Sequence, residues 1–125
     1  MLKPTFHLQS RGRRAYSQSK LAQITAGFEL AERLASVPIT VNSLHPATYM
    51  PTKIVLEGGG SPIDTLEEGV EATVRLATSP DVEGVTGRFF DRQSEAGAHD
   101  QAYDPDARRR LWQLSLELTG EPDVR

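Results

Sequence analysis

The sequence predicts an α/β layer in which helices alternate with short parallel strands. Residues 15–36 hold no proline and place Ser17, Leu21, Ile24, Phe28, Ala31 and Ala35 at steps of three and four, the spacing of one helical face. Residues 39–45 and 85–91 are short, rich in β-branched or aromatic side chains, and bounded by turn residues. Between them, Thr65 and Glu68 have the form of a capping box ahead of Leu66, Val70, Val74 and Ala77. Two strands joined by a helix-length crossover pair in parallel, and a parallel sheet needs helices on both faces.

Each element follows from local chemistry. Residues 1–14 mix Pro, Gly and basic groups without a period and are expected to be loop. In the first helix a second row, Tyr16, Lys20, Gln23, Gly27, Leu30 and Leu34, lies about 90° from the first and turns from polar to apolar along its length. So wide an apolar arc suits a helix held between a sheet and another layer. Pro38 stops it, because proline disfavours helical geometry at Val37. The strand at 39–45 ends at Pro46, and residues 47–62, with Gly58 to Gly60, read as a long loop. A second helix covers 66–78 and ends at Ser79 and Pro80; after the strand at 85–91 comes a polar connection over 92–103. The last helix starts at Asp104 with Pro105 in its first turn, packs through Leu111, Trp112, Leu114 and Leu118, and closes at Gly120. A βαβ unit takes roughly 30 residues, so a six-stranded doubly wound sheet does not fit in 125 residues.

Composition narrows the function classes. A formal charge of −3 gives no positive field for phosphate backbones, so nucleic acid is not the expected partner. With no Cys there is no disulfide, thiolate nucleophile or Cys-bound zinc. No 18-residue apolar run occurs, and a soluble, cytoplasmic chain without a membrane span is the expectation. His7, His45 and His99 are far apart and lack zinc-site spacing, so no metal site is expected. The basic clusters Arg11, Arg13, Arg14 and Arg108 to Arg110 read as solvated faces or partners of the acidic excess.

Tyr16 and Lys20 stand four apart near the start of a helix, so they share a face one turn apart. At about 5 Å and an effective dielectric of about 20, an ammonium favours the phenolate by about 3 kcal/mol, some two pKa units. That makes a phenol usable for general acid/base work near neutral pH.

The run Ala15-Tyr16-Ser17-Gln18-Ser19-Lys20-Leu21-Ala22, then Ile39-Thr40-Val41-Asn42-Ser43-Leu44-His45-Pro46-Ala47, resembles the short-chain dehydrogenase/reductase family, in particular its retinol-dehydrogenase-like branch. Glu67 to Glu71, Leu76 and Ala77, and Gly84-Val85-Thr86-Gly87-Arg88-Phe89-Phe90 are similar to that family's closing helix and strand, so the resemblance covers about residues 15–91. It implies the C-terminal portion of a Rossmann-like doubly wound fold, with two parallel strands and about three helices. Residues 1–125 would form a single partial NAD(P)-binding domain, with 92–125 as a C-terminal extension. By the same resemblance, Tyr16 exchanges a proton with an alcohol or carbonyl substrate, and Lys20 lowers the phenol's pKa and holds the nicotinamide ribose. Pro46, Ala47 and Thr48 pass beside the nicotinamide of NAD or NADP, Thr52 adds a contact, and residues 49–63 close over the substrate.

Departures accompany the match. The family's Ser about thirteen positions before the Tyr is here Lys3, and Ser10 is too near to replace it. Ala47 stands for the usual Gly, and Thr52 lies one place late. The Gly-rich phosphate cradle is not in this sequence, and Gly58 to Gly60 follow a loop and lack its spacing. The chain therefore reads as a truncated NAD(P)-dependent oxidoreductase that does not turn over alone. A non-catalytic interaction module, self-associating through the Tyr16–Lys20 helix, is the alternative.

Overall fold

A computed structural model describes residues 12–124; the expected loop over 1–11, with Lys3, His7, Ser10 and Arg11, lies outside the described residues. Helix α1 runs Gly12–Arg33, so residues 12–14 are helical and not loop. It ends short of residue 36 because its last turn tightens: Ala35 N–H bonds Glu32 C=O and Val37 N–H bonds Leu34 C=O, three residues back. Strand β1 (Ser43–His45) follows, then the short helix α2 (Lys53–Glu57), α3 (Leu66–Thr78), β2 (Phe89–Asp91), β3 (Ser94–Ala96) and α4 (Pro105–Thr119). The sheet order is β1-β2-β3, with β1 and β2 parallel and Leu44 beside Phe90, as the crossover requires.

Both parallel strands are shorter than their composition suggests, and Asn42 is the reason. Its amide donates to Val85 C=O and accepts from Arg88 N–H, while Val41 N–H bonds the Thr86 hydroxyl. Side chains thus take over hydrogen bonds that a ladder would supply. Two elements went unread in the sequence. The one-turn α2 occupies part of the expected loop, and β3 folds back on β2 as an antiparallel hairpin with Phe90 opposite Glu95.

The second and last helices keep their expected ends. Thr65 and Glu68 exchange both capping-box bonds. Asp104 caps α4 over Pro105, and Gly120 closes it at a φ of +70°, a left-handed state that costs glycine no Cβ clash. Their buried faces differ from expectation. On α3 the small residues Gly69 and Ala72 turn inward while Leu66, Val70 and Val74 are exposed. On α4, Leu111 and Trp112 are half-buried but Leu114 and Leu118 face water.

The core sits where α1 crosses the sheet and α4. Phe28 and Ala31 of α1 are buried with Phe90 and Ala102, and the Phe28 ring lies 5.2 Å from that of Tyr103. Glu29 is buried too, and is charge-paired with Arg33 at 3.0 Å and Arg108 at 3.5 Å. Arg33 reaches on to Asp123 and lies over the Trp112 ring, tying α1 to α4 and the following tail. Arg108 also pairs with Glu32, and Arg109 with Asp106, so two of the three clustered arginines serve ion pairs.

Candidate active site

Two close approaches fix how α1 lies on the sheet. A Cβ at Gly27 would stand 3.2 Å from Ser43 Oγ, and one at Gly87 would stand 3.4 Å from Ala31 Cβ. Gly87 N–H bonds Val41 C=O, so Val41 is level with Ala31 and Ser43 with Gly27. Two strand residues advance about 6.6 Å and four helical residues about 6 Å, so β1 and α1 run antiparallel in near-matched steps. Continuing through His45 carries the chain toward the Tyr16–Lys20 end of α1. That is also the carboxyl end of both parallel strands, where open α/β sheets bind their ligands.

At this end the Lys20 ammonium lies 5.5 Å from the centre of the Tyr16 ring, on the shared helical face. Tyr16 is 65% exposed. Among the described residues, neither the phenol nor the ammonium has a hydrogen-bond partner, whereas the neighbouring Ser19 hydroxyl donates back to Tyr16 C=O at 2.7 Å.

The expected cofactor segment is held differently. Ala47 is buried, and Pro46, Thr48 and Thr52 are half-buried. Thr48 N–H donates to Asp64 Oδ2 at 2.6 Å and Asp64 N–H returns to Thr48 C=O at 2.9 Å. The Thr48 hydroxyl accepts from Arg92 at 3.1 Å and shares a 2.9 Å bond with His45 Nε2. Arg92 grips the same carboxylate oxygen through Nε at 3.1 Å and Nη2 at 2.6 Å. Thr48 amide donation, and then Arg92, hold the Asp64 carboxyl below its usual range against partial burial. Thr52 caps α2 through its backbone while its hydroxyl makes no capping bond. The loop then crosses α3 at Gly69, where an added Cβ would collide with the Met50 sulfur.

Asp64 and Arg92 were not legible as site residues. They are 28 positions apart and meet only through the fold, although an acid just ahead of a helix cap and a base just after a strand were both visible. His45 and His99 serve local bonds, His99 Nδ1 accepting from Gln101 N–H. Among the described residues no group of three or more His, Asp or Glu is placed to hold a metal, and no helix is long and apolar enough to cross a membrane.

Comparison with known proteins adds relatives to this geometry. The chain is 38% identical over 117 residues to Retinol dehydrogenase 14 of Mus musculus, covering 84% of this chain and 35% of that protein. It is 37% identical over 134 residues to a Probable oxidoreductase of Streptomyces antibioticus, covering 82% of this chain and 44% of the relative. With the WW domain-containing oxidoreductase of Danio rerio it shares 32% identity over 116 residues, covering 86% of this chain and 28% of that protein. The chain thus spans between about a quarter and a half of the length of these relatives. No family model and no solved structure matches it.

Proposed function

Because the chain belongs to the short-chain dehydrogenase/reductase family through these relatives, we propose that it supplies the proton-transfer half of an NAD(P)-dependent oxidoreductase acting on an alcohol or carbonyl. The observation that carries this is the Lys20 ammonium stationed 5.5 Å from the Tyr16 ring on the side of the sheet where the parallel strands end. The residues present suit a nicotinamide ribose and ring on one further point. The Tyr16 hydroxyl, the Lys20 ammonium and the Ala47 N–H have no hydrogen-bond partner among the described residues, so three donors remain uncommitted.

When bound, NAD(P) supplies or accepts a hydride. The chain's own residues handle the proton and the placement. Tyr16 Oη donates a proton to the substrate oxygen in reduction and removes it in oxidation. Lys20 stabilises the phenolate that remains and hydrogen-bonds the ribose, while Pro46 and Ala47 offer peptide groups to the ring's carboxamide and Thr52 a hydroxyl. With Tyr16 exposed, water screens the ammonium, and covering the cleft strengthens its effect. Turnover by the 125-residue chain alone, which holds no Gly-rich cradle for a dinucleotide's phosphates, is expected to be undetectable. A homo-oligomer through α1 and a cytoplasmic setting complete the reading.

Reduced nicotinamide mononucleotide, which has no adenosine to anchor, is the direct probe. In an NMR titration to about 10 mM, the range of weak millimolar binding, it should shift the amides of Tyr16, Lys20, Ala47 and Thr52, and Lys20→Met should abolish the response. An unchanged spectrum at these residues sinks the reading. The interaction-module alternative predicts no nucleotide response and, instead, concentration-dependent self-association through the Tyr16–Lys20 helix.

A further inference from the structure

Arg92 sits at the tip of the β2–β3 hairpin with a φ of +56°, a state that residues other than glycine adopt rarely. From there its N–H bonds His45 C=O at 2.7 Å at the end of β1, and its guanidinium reaches Asp64, Thr48 and Asp91. Asp64 passes the grip on to Thr48 N–H and C=O, so Thr48 is fixed at its amide, carbonyl and hydroxyl together. Among the described residues, the hydrogen bonds tying residues 46–52 to the hairpin or to the approach to α3 all run through Thr48 and Tyr49. Tyr49 is itself left-handed at +46°. Unfavourable backbone states such as these, one at Arg92 itself and one beside Thr48, persist only where the surroundings over-determine them.

We propose that Arg92, acting through Asp64, is a positioning residue that sets Ala47 and Thr52 toward the Tyr16–Lys20 end of the site. Thr48 is then the anchor of the loop, and its neighbours present the free groups. This rests on the function proposed above. It differs from a general packing role because the two-armed guanidinium contact, and not bulk, does the holding.

Two readouts on the 125-residue chain test it: hydrogen-exchange protection of the Thr48 amide, and the amide shifts induced by reduced nicotinamide mononucleotide. In Arg92→Met, Thr48 protection should fall about tenfold or more and the Ala47 and Thr52 shifts should vanish, while Tyr16 and Lys20 still respond. Asp64→Asn should do the same, with unchanged far-ultraviolet circular dichroism in both variants. Arg92→Lys keeps the charge without the fork and should recover part of the loop response. Loop shifts that persist in Arg92→Met, or a loss that extends equally to Tyr16, overturn the positioning role alone. A parent chain with no response at any of these residues overturns the proposed function and the positioning role with it.

Discussion

The two ends of α1 are built to opposite specifications. From Thr25 to Arg33 the helix buries Thr25, Phe28, Glu29 and Ala31 and is riveted to α4 by the ion pairs of Arg108 with Glu29 and Glu32 and by Arg33 lying over the Trp112 ring. From Gly12 to Lys20 only Ala15 is even half-buried, and the one interaction between side chains of the described residues is Lys20 over Tyr16. The difference teaches that the burden of stability is unevenly spread along a single helix. The anchored end holds the helix in place, and the other end leaves Tyr16 and Lys20 exposed at little folding cost.

The largest test of that division is Phe28→Ala. Removing this buried ring from under Tyr103 should cost about 3 kcal/mol, much of the roughly 5 kcal/mol at the low end of domain stability. Urea denaturation reads it; a loss below about 1 kcal/mol would mean the core lies elsewhere.

A smaller effect separates the loop from both ends of α1. The Asp64 carboxyl, faced by Arg92 and Asp91 from the hairpin, Glu68 from α3 and His45 through Thr48, titrates below its ordinary 3.8 when folded. Its stabilising contribution is therefore complete above 3.8 and is lost as pH falls through the lower folded value. The protection factor of the Thr48 amide, corrected for intrinsic exchange, should stay level down to about pH 5 and drop only in stronger acid. A decline that begins near neutrality would show that the Asp64 carboxylate is not what holds the loop.

The smallest effect is the sharpest. Tyr16→Phe and Lys20→Met should each leave the unfolding free energy from urea denaturation within about 0.5 kcal/mol of the parent, as exposed substitutions do. A loss several times larger would show that the exposed end bears structural load and would erase the contrast.

Sequence made legible what is local. The capping box at Thr65 and Glu68, the Asp104 cap and the Gly120 stop are short-range signals, and each appears as read. Tyr16 and Lys20 were legible for the same reason, four residues on one helix. What escaped is what the fold decides. The β2–β3 turn places Arg92 where an Asn or Gly would advertise a hairpin, so β3 passed for connection. Asn42 spends its side chain on backbone groups 43 and 46 positions away, which trims both strands in a way that no residue preference announces. The apolar spacing on α3 announced a helix but not its buried face, which is that of Gly69 and Ala72; at Gly69 the loop through Ala47 and Met50 comes too near for a Cβ.

The hairpin also gives the sheet a polarity of growth. Its outermost strand is three residues long, carries exposed Ser94 and Glu95, and spends Glu95 on Arg88, the features that discourage another strand from docking. At the opposite margin Ser43, Leu44 and His45 are only half covered, and among the described residues no strand pairs with their outer side. Obstruction to enlargement of this sheet is thereby one-sided: an added strand would meet least of it at β1, beside the segment that leads into Pro46 and Ala47.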